Sequence, residues 1–255
     1  MKDTDNNPLK ESAFFSFNPL SPFQLQYFKE IFYTKVYEQG ATVAEGDIVV
    51  DLGAGIGDFA FSIRNNKPKH IYCVEPDQSA CELLEINTKG CPVTIIPKAI
   101  VGEKDIALNV LNDQGEWRYA TAPDEVATTT LKNLIDECKI DYIDFLKIDI
   151  EGGEYNVFTE ENMDFLTTKV KVIVCEFHIG SGPSSLREHF VYFRDTILPR
   201  FGKNAVTSVS YKDYSIKPTQ LNYDIKSKGF EDNYMCATVW MYNKVGDYYK
   251  HAAKK

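Results

Sequence analysis

The chain predicts an α/β fold, a mostly parallel sheet covered by helices on both faces and closed by a hairpin-like strand. Three observations carry this. From Ile48 to about residue 198, short apolar runs alternate with amphipathic segments of helical period, the rhythm of βα units. The first run ends in a glycine-rich turn, Val49-Val-Asp-Leu-Gly-Ala-Gly-Ile-Gly57. The last third changes character, with two apolar runs joined by a long polar connection rather than a helix, as when an antiparallel strand closes a parallel sheet.

Residues 1–20 mix polar residues with Phe14, Phe15 and Phe17 and with Pro8 and Pro19, and read either as an arm over the domain or as a partly ordered terminus. Phe23 to Glu38 spaces Tyr27, Phe28, Phe32, Tyr33 and Tyr37 as a helix would, a stripe read as packing. Gly40–Gly46 is a turn. Then come strand Ile48–Leu52, helix 58–64, strand His70–Val74, helix Ser79–Lys89 capped by Asp77, and strand Val93–Pro97. Runs near 106–111 and 117–121 suggest a hairpin, and Thr128–Cys138 a helix entered through Thr130. Strand Asp144–Ile148, helix 155–166, strand Val170–Phe177 and helix 185–198 complete the alternation. Ala205–Tyr211 and Met235–Tyr242 are the closing strands.

Bulk properties narrow the function. A chain of 255 residues, 44% apolar and 25% charged, has the composition of a globular domain with a proper core. A net charge of −9 argues against a nucleic-acid partner, which needs a basic face. No apolar run has the length of a membrane span, and the first residues do not resemble a signal peptide. The six cysteines form no Cys-x-x-Cys pair; the expectation is a reduced, cytoplasmic protein.

The glycine turn sorts the cofactors. A dinucleotide fingerprint has a third glycine before its phosphate-binding helix; here that slot is Asp58, and Asp51 adds a second carboxylate. Two acids would repel a pyrophosphate and suit a ligand bearing an ammonium and a sulfonium, S-adenosylmethionine. The turn residues Gly53, Ala54, Gly55 and Gly57 are therefore candidate cofactor contacts. Glu75 ends the second strand 24 residues beyond Asp51, about the spacing at which an acid meets ribose hydroxyls. Its neighbour Pro76, and Ala99 after the third strand, fall where such folds line the ligand.

Two further strand ends carry chemistry. In Asp144-Phe-Leu-Lys-Ile-Asp-Ile-Glu-Gly-Gly-Glu154, Lys147, Asp149 and Glu151 share one face of an otherwise apolar strand, which requires an open end or paired charges. In Lys171-Val-Ile-Val-Cys-Glu-Phe-His178, Glu176 and His178 point to one side. Asp149, Glu176 and His178 together could ligate a divalent cation (Mg or Mn), act as general base with its orienter, or be structural, with Lys147 as a neighbouring charge that tunes them.

These segments, with Val74-Glu-Pro-Asp77 and Thr129-Thr-Leu-Lys-Asn-Leu-Ile135, resemble the FkbM family of S-adenosylmethionine-dependent O-methyltransferases over about residues 45–180. The resemblance implies a class I methyltransferase (Rossmann-like) fold, a seven-stranded, mostly parallel sheet with an antiparallel last strand. It implies methylation of hydroxyl groups, often on sugars of capsules and lipopolysaccharides or on macrolides, with Asp51, Gly53, Gly55, Glu75 and Asp149 in the cofactor and catalytic pocket. The organisation expected is an arm and helix at 1–40, the methyltransferase domain at 41–245 and a tail at 246–255. The partner would be a small-molecule or glycan acceptor, such as a nucleotide-activated sugar. Rival functions fit less well. A short-chain NAD(P)-dependent reductase needs Tyr-x-x-x-Lys, and none of the 15 tyrosines has lysine four positions on. A nucleic-acid amino-methyltransferase would carry an Asn/Asp-Pro-Pro-aromatic turn where this chain has Asp-Ile-Glu-Gly. A methyltransferase acting on non-sugar small molecules also fits the pattern. A non-enzymatic binding module would have little use for the Asp149, Glu176 and His178 cluster.

Overall fold

The computed structural model describes residues 15–16, 28–102, 108–111, 117–120, 126–180, 185–211, 225–227 and 229–243. Its strands are β1 (Ile48–Leu52), β2 (His70–Val74), β3 (Val93–Ile96), β4 (Ala99–Ile100), β5 (Leu108–Leu111), β6 (Trp117–Ala120), β7 (Thr128–Thr129), β8 (Ile143–Ile148), β9 (Val170–His178), β10 (Lys203–Tyr211) and β11 (Tyr234–Tyr242). Seven form one sheet in the order β10-β11-β9-β8-β1-β2-β3. From β9 to β3 the pairs are parallel, and β11 alone runs against its neighbours. The order reverses beside β1, which lies between β8 and β2; ligands bind outside the carboxyl ends of strands at such a switch point.

The helices are α1 (Asp58–Ser62), α2 (Gln78–Asn87), α3 (Leu131–Cys138), α4 (Glu160–Thr168), α5 (Ser185–Tyr192) and α6 (Phe230–Asn233). Two begin at the caps expected of them. The Asp77 carboxylate accepts from the Ala80 amide at 2.8 Å, and the Thr130 hydroxyl from that of Asn133 at 3.1 Å. The hairpin forms as β5 with β6. No helix of the described residues is long and apolar enough to cross a membrane, and all six cysteines are free.

Three expected helices are broken. Within 28–38, a helical turn over Glu30–Thr34 stops at Lys35, which adopts a left-handed φ of 49°, and a 3-10 turn follows over Val36–Glu38. The helix expected over 155–166 is a 3-10 turn at Glu154–Asn156, then α4 entered at Thr159. The one expected over 185–198 is α5, then π and 3-10 turns. In each case apolar spacing is right but tertiary packing bends the chain. The arm, apart from Phe15 and Ser16, and the tail lie outside the described residues.

Core residues separate by strand parity. Val50, Leu52, Leu146, Ile148, Ile173, Cys175 and Phe177 pack on one face with residues of α3, α4 and α5. Val49, Phe145, Val172, Val174 and Trp240 pack on the other with Ile31, Val36, Tyr37 and Phe59. Alternation puts Asp51, Lys147 and Glu176 on this second face, near the carboxyl ends of β1, β8 and β9, under the segment 28–38.

Candidate active site

The site is built on the turn after β1. The amides of Gly53 and Ala54 donate to the Val74 carbonyl at 2.9 and 3.0 Å, and the Asp149 amide donates to the Leu52 carbonyl at 3.0 Å. Gly53 sits at φ +80°, and a Cβ there would lie 1.7 Å from the Asp149 carbonyl oxygen. Only glycine lets β1 turn this close to the end of β8, and the contact sets Asp149 beside the turn. Gly55 donates its amide to Glu75 Oε2 at 2.9 Å, and nothing lies within 4 Å of where its Cβ would be. The other Glu75 oxygen accepts from the Asp77 amide at 2.9 Å. Each oxygen thus retains acceptor capacity. Burial pushes this carboxyl up to about 7, with the two amides pulling the other way. Pro76 is exposed beside it. Ala99 begins β4, paired with Thr128 of β7, and is 9% exposed. Gly57, in the left-handed region, opens α1.

Beneath the turn lies a buried ion pair. Asp51 (0% exposed) and Lys147 (3%) meet at 3.0 Å, and Lys147 Nζ also donates to the Gly53 carbonyl at 2.9 Å. Burial pushes Asp51 up, offset in part by Lys147. Burial opposes the Lys147 charge, but Asp51 and Asp149 outweigh it and hold the ammonium well above its usual range. Asp51 is fully buried beneath the turn, and Lys147 binds both Asp51 and the Gly53 carbonyl. The half-buried Asp58 is pushed up to about 6 by burial, and also by Asp51 against Lys147.

Beyond the turn, Asp149 and Glu176 come together through a residue that sequence reasoning assigned to packing. The Tyr37 hydroxyl lies 2.7 Å from Asp149 Oδ2 and 3.1 Å from Glu176 Oε2. Its ring is 5% exposed, edge-on to Phe59 at 5.8 Å and 5.0 Å from Lys147 Nζ. Burial raises Tyr37 well above its usual value, and both carboxylates add to that. Burial and the charge of Asp149 raise Glu176, against His178. No sequence signal separates Tyr37 from Tyr33 in the same stripe, yet Tyr33 is 51% exposed.

His178 is occupied on both sides. Its Nδ1 is 2.7 Å from Glu154 Oε1 and its Nε2 3.0 Å from Glu151 Oε2. Burial opposes its charge, but Glu151 and Glu154 outweigh burial and hold the imidazole well above its ordinary range. Glu154, 0% exposed, also accepts from the Gly152 amide at 2.9 Å. Glu151 reaches His178 from a left-handed φ of 54°. A ring with both nitrogens engaged is not a free base. The expected metal trio is also divided. Asp149, Glu154 and His178 form one group of ligand atoms within 4.8 Å, and Glu176, His178 and Cys236 another. Ligation by His178 would require an ion to displace Glu151 or Glu154.

Those residues fit S-adenosylmethionine on chemical grounds. An acceptor carboxylate with spare capacity ends β2, the backbone at Gly55 faces open space, and acids rather than a third glycine follow the turn. The sheet order with its single reversed strand and this site define an S-adenosylmethionine-dependent methyltransferase of class I fold. The methyltransferase FkbM domain model matches residues 51–198, more than half the chain, and the protein belongs to that family. No curated protein sequence matches it. Solved structures similar to it include a precorrin 8W decarboxylase from Methanobacterium thermoautotrophicum (17% identity, 90% of this chain and 97% of that one, TM-score 0.43). Others are a putative RNA methyltransferase from Pyrococcus horikoshii (13%, 97% and 100%, 0.44) and precorrin-6y C5,15-methyltransferase from Geobacter metallireducens (13%, 90% and 94%, 0.44).

Proposed function

We propose that the protein methylates a hydroxyl group of a sugar or glycan precursor, a building block of a capsule, lipopolysaccharide or similar polysaccharide. The observation that carries the hydroxyl is Asp149, a partly exposed carboxylate set against the glycine turn by the Gly53 contact, with Oδ1 unpartnered among the described residues. The sugar rests on the FkbM resemblance. Bound S-adenosylmethionine supplies an electrophilic methyl on sulfur. Glu75 would accept from the ribose hydroxyls, and the backbone from Gly53 to Gly57 would carry the amino acid portion. Asp149 takes the proton that an alcohol must lose to become a competent nucleophile. A positioned base is worth about 10²–10⁴-fold, and alignment roughly 7–11 kcal/mol. Acid–base chemistry on carboxylates is the reading this geometry favours over a metal-held alcohol, because His178 is already bound on both nitrogens.

The test is release of S-adenosylhomocysteine with a panel of UDP-, GDP- and dTDP-hexoses, run with EDTA and with added magnesium or manganese. EDTA-indifferent methylation of one sugar is expected. Strict metal dependence would restore the ligand role for Asp149, Glu176 and His178, and methylation of nitrogen rather than oxygen would overturn the reading.

A further inference from the structure

We infer that Tyr37 is a positioning residue that joins Asp149 and Glu176 into one proton-sharing unit, through which the acceptor hydroxyl is deprotonated. This rests on the hydroxyl-methylation reading and adds to it the residue that makes the base work. The Tyr37 hydroxyl has one hydrogen and stands within hydrogen-bonding distance of two carboxyl groups, 2.7 and 3.1 Å away. The hydrogen can serve only one of them at a time. The shorter contact places it on Asp149. Tyr37 does not ionise in this setting, since burial and both acids raise it, so it remains a donor that can turn from one acid to the other.

The balance is simple. The acceptor oxygen forms its bond to the methyl carbon as the carbon–sulfur bond breaks, and sulfur keeps that electron pair. The proton of the acceptor hydroxyl goes to Asp149. A protonated Asp149 accepts poorly, so the Tyr37 hydrogen turns to Glu176. The unit has gained one proton and loses it to solvent before the next turnover. The groups facing it account for its charge. Lys147 lies beside the Tyr37 ring but is held by Asp51, and His178 offsets the negative charge near Glu176 while held by Glu151 and Glu154. Glu30, from the helical turn above, is itself raised by burial and by Asp149. Glu176 is raised to about 8 by burial and by Asp149, so it takes up a proton near neutrality and leaves Tyr37 a single charged acceptor, Asp149; activity should therefore show an acid limb there, belonging to the unit rather than to one residue.

The experiment compares native protein, Tyr37→Phe and Glu176→Gln by two readouts. The first is carboxyl titration by NMR on ligand-free protein labelled with ¹³C at Asp and Glu carboxyls. The second is the pH profile of kcat, read as S-adenosylhomocysteine release with the hexose nucleotide turned over. In Tyr37→Phe, S-adenosylhomocysteine affinity should stay within about twofold while kcat near neutrality falls roughly 10- to 100-fold, less than or comparable to loss of a general base. The acid limb should move to higher pH, because the carboxylates lose a shared donor and repel more strongly. In Glu176→Gln the limb should move to lower pH, and adding Tyr37→Phe should then shift it less than in the native background. Carboxyl titrations of Asp149 and Glu176 that are unchanged in Tyr37→Phe would overturn the unit, whatever the activity. So would a fall in kcat by the same factor at every pH. If native protein methylates no hexose while the NMR titrations of the two acids shift together on Tyr37→Phe, the unit stands and the choice of acceptor fails.

Discussion

At the scale of single residues, the buried pair under the turn has the largest expected effect. Lys147 neutralises a carboxylate with 0% exposure, and removing one partner leaves an uncompensated buried charge. Lys147→Met should therefore cost about 3–5 kcal/mol in urea unfolding, with much of the loss recovered in Asp51→Leu/Lys147→Met. Failure of the double variant to recover stability would show that the ammonium's bond to the Gly53 carbonyl matters more than its charge. Glu75 gives a pH dependence of definite sign. Its folded-state value of about 7 lies above the ordinary 4.5, so between these values the native state holds a proton that the unfolded chain has released. Stability from this group is fully present below 4.5 and lost as pH rises to about 7. Asp58, raised to about 6, acts in the same direction. Ligand-free protein should lose stability from about pH 5 to 7.5, and Glu75→Gln should flatten that slope. S-adenosylhomocysteine binding should move oppositely, strengthening as the carboxylate ionises to receive the ribose hydroxyls. These positions differ in legibility. Glu75 could be read from its place at a strand end. Tyr37 could not, because its partners lie 112 and 139 residues away and nothing local marks it.

At the scale of elements, the segment carrying Tyr37 depends on its anchors. Phe28 stacks on Phe32 with centroids 4.0 Å apart, and Phe15 meets Phe28 and Phe61 at 5.2 and 5.1 Å. Asn87, at the end of α2, accepts from the Ser16 amide at 2.7 Å and donates to the Ser16 and Ile56 carbonyls at 3.0 and 2.8 Å. One buried amide thus ties the residues before the segment to the glycine turn. Asn87→Ala should leave these groups unpaired at a cost of about 1–3 kcal/mol, and should speed hydrogen exchange at the Ser16 amide relative to the sheet. Equal exchange at Ser16 in native and variant protein would deny Asn87 this anchoring role. The same segment explains a misjudged element. Apolar spacing over 23–38 is helical, but the left-handed Lys35 turns the chain so that Val36 and Tyr37 enter the core, a tertiary decision that local propensity does not record.

At the scale of the molecule, class and cofactor make a direct prediction. A ligand that binds only the native state adds RT ln(1 + [L]/Kd), about 2.7 kcal/mol at a hundredfold excess over Kd, or roughly 5–10 °C in Tm for a chain of this size. S-adenosylhomocysteine should produce that shift in a thermal melt, and NAD should produce none. A shift with NAD alone would revive the reductase. The sequence by itself determined the βα alternation, the closing strands, the hairpin, the two helix caps and the strand ends that bear Glu75, Asp149 and Glu176, because these depend on period, turn chemistry and residue type within a few neighbours. The tertiary structure decided how those strand ends meet. It closed Asp51 onto Lys147, divided the Asp149, Glu176 and His178 trio, pinned His178 between Glu151 and Glu154, and brought Tyr37 across to Asp149 and Glu176. Those outcomes come from charges desolvated together by distant segments, which take whichever partners the packing presents.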